Sequence, residues 1–442
     1  MTQIDSVRIS DFKGIGEIEL PCKQLNIITG RNNTGKTSIL EAVDLLFNPN
    51  HITDYEENLR YLVNSQKKAA SISSSYKLRQ TSISDFAQDA DGRSQKEMGI
   101  RIPRDEEVLN NFINSVYEIL ELNEKYPVPA PDHIFEPLET DMDSKEFNQL
   151  LQEHLRETVS SISPKRVLNS GIKENMIILE REGEEYPVVY FGENYERIRT
   201  ELEEQAANSI IGEFDQDEEL LRENIKDERM FSAIHRLLAP RFGSLRTIGK
   251  PPNDIHGVQF LDDISGDRES FDLEQERAAV KTRKIQQYLI TNDIIPGLID
   301  FSFHKVIFQD TSNSEAYEVP YDFLGDGFKV LVRILWELLD NNREGQVLML
   351  EEPENHMHPG YIERLVTQLI DISINRNVQL FITTHNLDLI DAFYSPQIEG
   401  ERENFLKQSF ELTQLTDSVP KSMGYSRFRK KRDELNLDPR GV

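Results

Sequence analysis

The stretch LEEPENHMHPG (350–360) packs three glutamates and two histidines into eleven residues. Three chemistries compete for it: a zinc site, a paired acid and base, and half of a phosphate-transfer centre. Zinc needs a dedicated ligand set at workable spacing. His356 and His358 are two apart in a proline-bounded loop with no cysteine nearby, which argues against zinc. The residues just before decide between the other two. QVLMLEE is an apolar, strand-like run that ends in two carboxylates. A buried strand of that kind delivers one acid to a metal shell and sets the next beside an attacking water. Glu351 is therefore the expected Mg²⁺ ligand and Glu352 the expected general base. Pro353 ends the strand. The spacing alone gives Glu354 no chemical role.

Such a centre needs something to hold a phosphate, and GRNNTGKTS near the N-terminus supplies it. It matches G-x-x-x-x-G-K-[ST] over Gly30, Arg31, Asn32, Asn33, Thr34, Gly35, Lys36 and Thr37, with Ser38 following. The glycines let backbone N–H groups turn toward a phosphate. Lys36 reaches the β and γ phosphates, the Thr37 hydroxyl binds Mg²⁺, and a helix that starts here points its positive end at the anion. The run LNIITG before it reads as a strand. TSILEAVDLLF after it carries Ile39, Leu40, Val43, Leu46 and Phe47 at helical spacing.

Two further features fall in the same frame. VQLFITTHN reads as another buried strand, ending at His385. A polar residue at that tip points into the crevice at the carboxyl ends of the strands and can sense the γ-phosphate; the alternative is a histidine that caps the next helix. LGDGFK places Leu324, Gly325, Asp326 and Gly327 before a strongly apolar helix, FKVLVRILWELL. Glycines opening a helix make a second anion-binding N-terminus. With one phosphate loop already at Gly30, the second anion is expected from another copy of the chain; the alternative is a plain helix start capped by Asp326.

These residues need a scaffold. VRISDFKGI and GEIEL read as two strands turning at Gly14–Gly16, and the C-terminal part alternates strands with helices: HKVIFQD, FKVLVRILWELL, QVLMLEE, YIERLVTQLIDI, VQLFITTHN, LDLIDAF. That order predicts an α/β protein with a mainly parallel sheet covered on both faces and antiparallel strands at the N-terminus. The expected divisions are a first part of the core at 1–50, a largely helical insertion at 51–245 suited to partner or substrate recognition, the second part of the core at 246–400, and a polar tail at 401–442. Within the insertion, 64–99 reads as loop or weak helix, a proline cluster interrupts at 126–137, ENMIILEREGEEYPVVYF reads as a hairpin turning near Gly183, and the acidic run 213–219 reads as a solvated helix face. No repeat or sustained heptad pattern points to a long coiled coil.

Composition narrows the class. The hydrophobic fraction of 38% in 442 residues is enough for a sizeable core. A single cysteine, Cys22, fits a reducing cytoplasm. No N-terminal leader pattern or membrane-length apolar run is present. Acidic residues outnumber basic ones 78 to 50, a net charge of −28, so nucleic acid can meet only a local basic patch. The acid excess also suits solubility in high salt. The dense basic patch is Arg427, Arg429, Lys430, Lys431 and Arg432, with Tyr425 and Phe428 interleaved. It reads either as a nucleic-acid or acidic-partner contact or as a solvated, flexible terminus.

Together VRISDFKGI, GRNNTGKTS, LGDGFKVLVRIL, VLMLEEPENHMHP and FITTHN resemble the ABC-type ATPase heads of RecF-like, SMC-like and OLD-family proteins. The resemblance spans roughly 1–50 and 300–395, less than half of the chain. It implies a P-loop NTPase fold, ATP and Mg²⁺ as cofactors, and an ATP-dependent head-to-tail homodimer or larger homo-oligomer. LGDG is similar to the signature motif that completes the opposing subunit's site, ENHMHP to the loop that communicates between sites, His385 to the switch histidine, and Lys13 to a position near the nucleotide. A Q-loop glutamine is not placed in 50–110, and LGDG in place of LSGG argues against a transporter. The stretch after the switch-histidine helix is too short for the Toprim nuclease domain of OLD proteins. The resemblance thus extends to stand-alone ATPase subunits of antiphage defence systems that act with a separate nuclease. The competing expectations are an ATP-gated scaffold with slow hydrolysis and a RecF-like recombination mediator.

Overall fold

The structure is a computed structural model. It describes residues 2–78, 93–125, 144–192, 198, 202, 205, 209, 247–248, 257–262, 264, 266–292, 294–309, 315–339, 346–355, 357–416, 420–435 and 438–440. The chain divides into two compact units: Met1–Asn48, Ile72–Glu97 and Asp254–Val442 form the first, and Pro49–Ser71 with Met98–Asn253 form the second.

The first unit opens with strands β1 (Thr2–Ser10), β2 (Glu17–Pro21) and β3 (Leu25–Thr29), then helix α1 (Lys36–Phe47). β1 and β2 form an antiparallel hairpin in register from Ser6↔Pro21 to Ser10↔Glu17. Strands β4 (Ala69–Leu78) and β5 (Arg93–Arg101) each run through both units. In the first unit the order is β2-β1-β4-β5. The expected loop or weak helix at 64–99 is thus corrected to strand over 69–78 and 93–101. Burial alternates through Ile72, Ser74 and Tyr76, but serine hides that period in the sequence.

The second unit adds a 3₁₀ segment Pro49–Leu62, helices α2 (Asp105–Lys125), α3 (Ser144–Ser160) and α4 (Pro164–Asn169), and strands β6 (Met176–Arg181), β7 (Glu184–Tyr190) and β8 (Thr247–Ile248). β6 and β7 form the expected hairpin, turning at Glu182 and Gly183, both at positive φ. Arg101, 17% exposed, bridges Glu107, Glu180 and Glu185 at 2.7–2.8 Å. Its hydrogen bonds hold the Glu107 carboxyl down at about 2. The proline cluster at 126–137 and the acidic run 213–219 lie outside the described residues.

The rest of the first unit runs β9 (Val258–Leu261), α5 (Ala278–Thr291), β10 (Leu298–Phe301), β11 (Lys305–Gln309), β12 (Ala316–Pro320), α6 (Asp326–Leu338), β13 (Val347–Glu351), α7 (Pro359–Arg376), β14 (Gln379–Thr384), α8 (Leu387–Ala392), α9 (Glu401–Ser409), β15 (Phe410–Gln414), β16 (Lys421–Gly424) and α10 (Tyr425–Leu435). β10, β11 and β12 form a small antiparallel sheet. The central sheet has the order β16-β15-β3-β14-β13-β9, parallel throughout except for the β15–β16 hairpin. β3, β13 and β14 are apolar and buried almost end to end, as a parallel sheet covered on both faces requires. Helices α5, α6 and α7 contribute Ile285, Leu289, Leu331, Leu335, Leu365 and Leu369 to the main core. Gln379 ties the hairpin to this sheet: its side chain accepts from the Ile4 N–H at 2.8 Å and donates to the Ile4 carbonyl at 2.7 Å.

The C-terminal residues are not the expected polar tail. β15 is a parallel neighbour of β3, with Leu412, Thr413 and Gln414 buried. On α10, Tyr425 and Phe428 stand three apart on the inner face, 2% and 0% exposed. Neither ring can stack on a nucleobase. Arg429 pairs with Glu403 at 2.9 Å and Arg432 with Asp391 at 2.8 Å, so much of the cluster's charge is matched within the chain. Among the described residues, no helix is long and apolar enough to cross a membrane.

Candidate functional site

In a parallel sheet, loops at the carboxyl ends of neighbouring strands share one crevice. β3, β14 and β13 lie side by side, so the loops carrying Lys36, His385 and Glu352 open at the same edge.

The phosphate loop joins β3 to α1. Gly35 has φ 91°, and a Cβ there would stand 3.1 Å from Ile15 in the DFKG loop. A Cβ on Gly30 would meet Thr34 Oγ1 at 2.8 Å and the Leu415 carbonyl at 3.1 Å. Both positions need glycine for space, and Gly35 for its backbone as well. Lys36 Nζ folds over the loop, donating to the carbonyls of Gly30 at 3.3 Å and Arg31 at 3.2 Å. A buried ammonium held by two carbonyl oxygens, with one carboxylate at 3.9 Å, can take a phosphate as a further partner.

Thr37 Oγ1 donates to Glu351 Oε1 at the end of β13. Burial, followed by the charges of Glu352, Glu41 and Asp262, pushes the Glu351 carboxyl above its usual range, while the Thr37 hydrogen bond works the other way. Hard oxygen donors within a cluster of acids suit Mg²⁺, which keeps several waters and takes one or two protein oxygens plus phosphate. Among the described residues, no group of three or more His, Cys, Asp or Glu side chains forms an all-protein metal cage.

Glu352 sits just beyond β13 at φ 42°, in the left-handed region, which costs a non-glycine residue on the order of 1–3 kcal/mol. Its N–H donates to the Thr383 carbonyl at 3.1 Å, which holds the turn against β14. Glu352 Oε1 is 2.8 Å from His385 Nδ1 and 3.9 Å from Lys36 Nζ, and Oε2 accepts from Asn355 Nδ2 at 3.3 Å. An ionised carboxylate only accepts, so Nδ1 of His385 is the donor. The helix after β14 is capped by Asn386, whose side chain accepts from Asp388 N–H at 2.7 Å. His385 therefore does not serve as that cap.

Lys13, at φ 50°, pairs with Glu41 of α1 at 2.5 Å. Leu324, Gly325, Asp326 and Gly327 lead into α6. Gly325 is the N-cap, no side chain caps that end, and Asp326 is the first helical residue. The reading of Asp326 as a cap is thus corrected. A Cβ on Gly327 would stand 3.3 Å from Tyr361 of α7. His358 caps α7, its Nδ1 accepting from Gly360 N–H at 3.2 Å; His356 lies outside the described residues.

Two participants escaped the sequence. Asp262 follows β9, the other parallel neighbour of β13, and its charge bears on Glu351. The signal was an apolar run ending in an acid, VQFLD, the same pattern as VLMLE. Glu354 is 2% exposed, and its Oε1 accepts from Thr384 Oγ1.

A parallel sheet with a glycine-bounded phosphate loop at its edge defines a P-loop nucleotide-binding protein. The chain belongs to the family described as AAA domain, putative AbiEii toxin, type IV TA system, whose model matches residues 25–391. That assignment agrees with the ABC-type ATPase resemblance of its motifs. A curated relative, an uncharacterized protein of Methanocaldococcus jannaschii, is 29% identical over 122 residues, 27% of this chain and all of that protein. Among solved structures, the chain is similar to an Smc head domain with an extended coiled coil bound to the C-terminal domain of ScpA, from Pyrococcus furiosus. The identity is 11%, the coverage 99% of this chain and 100% of that one, and the TM-score 0.39. It is also similar to the SMC head domain from Thermotoga maritima, with 10% identity, 96% and 99% coverage and a TM-score of 0.41.

Proposed function

We propose that this chain is a Mg²⁺-dependent ATPase that pairs with a second copy on binding ATP and drives a separate effector, a nuclease above all, in DNA processing or antiphage defence. The observation that carries the catalytic part is the convergence of Lys36, the Thr37–Glu351 pair and the Glu352–His385 pair at one sheet edge.

In this reading the N–H groups of Gly30 to Ser38 and the Lys36 ammonium take the β and γ phosphates. Mg²⁺, held at Thr37 and Glu351, would neutralise charge on the phosphate oxygens. Glu352 Oε1 accepts a proton from the attacking water, and His385 fixes the orientation of that carboxylate while standing toward the γ-phosphate. Lys13 lies on the loop that touches Gly35 through Ile15, which supports a place beside the nucleotide. The uncapped start of α6 supports LGDG as an anion site for the second copy. The toxin–antitoxin description of the family agrees with a defence role. The second unit is the proposed recognition module.

Phosphate release at saturating Mg-ATP, beside nucleotide affinity, tests this. Glu352→Gln is expected to lose about 10²–10⁴-fold in turnover while binding ATP as tightly as the parent. Undiminished turnover in that variant would remove Glu352 from its role.

A further inference from the structure

Glu354 is the one carboxylate of the EEPE run that the proposed chemistry leaves unused. It is as buried as a core residue, at 2% exposure. Oε1 accepts from Thr384 Oγ1, and Oε2 is buried with no hydrogen-bond partner. A buried polar atom without a partner is costly, so a carboxylic acid kept here calls for an explanation. Its connections supply one. Thr384 is the last residue of β14 and His385 follows it, while Glu354 lies two residues beyond Glu352. The same Thr384 oxygen accepts from the Asn386 N–H at 3.0 Å. On the other side the Glu354 carbonyl accepts from Met357 N–H at 3.0 Å, and the Glu352 carbonyl from Asn355 N–H at 3.0 Å.

We propose that Glu354 is a positioning residue, a latch that fastens the loop bearing Glu352 to the strand end bearing His385, so that the two groups facing the γ-phosphate move as one. The inference rests on the catalytic reading above. It also accounts for the left-handed turn at Glu352, which needs an anchor on its far side. Burial pushes the Glu354 carboxyl up to about 7. Of the charges that act on it, Glu352 on its own loop raises it and His385 at the end of β14 lowers it. The Thr384 hydroxyl, which donates to Oε1, favours the charged form and works against burial.

The test compares Glu354→Gln, which keeps an oxygen able to accept from Thr384, with Glu354→Leu, which cannot bond Thr384. Thr384→Val cuts the same bond from its other end should Glu354→Leu fail to fold. Hydrogen–deuterium exchange of the full chain reads the latch without any turnover. Segments 352–358 and 383–386 are expected to exchange about tenfold faster or more in the Leu and Val variants, with the rest of the molecule unchanged. Steady-state kinetics read its consequence. The Leu and Val variants are expected to lose about 10²-fold in kcat with KM for ATP little changed, the cost of misplacing a catalytic group. Glu354→Gln, whose amide oxygen still accepts from Thr384, is expected to keep most of the parent's kcat. Unchanged exchange in the Leu and Val variants overturns the latch, as does a loss of kcat in Glu354→Gln as large as in Glu354→Leu. Faster exchange in a protein that hydrolyses no ATP upholds the latch and overturns the ATPase reading instead.

Discussion

Lys36 shows how one side chain is prepared for its task. It is 7% exposed, its ammonium rests on two carbonyl oxygens, and Glu352 stands 3.9 Å away. A bound phosphate would add a full opposite charge to two neutral carbonyls and one carboxylate at 3.9 Å. One charged hydrogen bond is worth about 1.5–3 kcal/mol, so Lys36→Ala should weaken ATP binding about tenfold or more in a direct titration. Unchanged affinity would mean that the nucleotide binds elsewhere. Gly35→Ala should do similar damage, because its φ of 91° and the Ile15 contact at 3.1 Å leave no place for a methyl group. That Lys36, Thr37 and the two acids come together was readable in the sequence because their motifs are local. Glu354 was not, since its meaning depends on Thr384, thirty residues on, and on the depth of the crevice that buries both.

Among the elements, α10 gives the sharpest contrast between sequence and structure. RFRKKR reads as a basic tail, yet Phe428 is fully buried and Tyr425 stacks on Tyr394 with ring centroids 5.1 Å apart. Phe428→Ala should cost about 3–5 kcal/mol in chemical denaturation, as for other buried aromatics. A loss within error would return the helix to the role of a loose tail. The strands of the parallel core were legible because β3, β13 and β14 are continuous apolar runs. β4, β9 and β15 were not, because they are short or carry serine, threonine and glutamine on buried positions. In the second unit, the Arg101 network makes a pH-dependent contribution. Glu107 titrates at about 2 when folded against an ordinary value of 4.5. Its stabilisation is therefore complete above 4.5 and is lost as pH falls toward 2. Arg101→Ala should lower Tm at neutral pH, and the gap from the parent should narrow over that acidic window. A gap independent of pH would assign the loss to packing alone.

For the molecule as a whole, the proposed catalytic groups and LGDG all belong to the first unit, built from three separated pieces of chain. The phosphate loop at 30–37 and the residues at 351–385 come together because β3, β14 and β13 lie side by side in the sheet. That topology was legible from the order of strands and helices, whereas the passage of β4 and β5 through both units was not. A net charge of −28 on each copy opposes association, so pairing needs a specific driver. ATP set between the phosphate loop of one copy and LGDG of the other would supply it, and this is the central claim of the account. The most direct measurement is the mass in solution of Glu352→Gln, which should hold ATP without consuming it, by light scattering with and without Mg-ATP. The account predicts a monomer of 51.2 kDa that doubles in mass only when Mg-ATP is added. A mass that ignores Mg-ATP would contradict it.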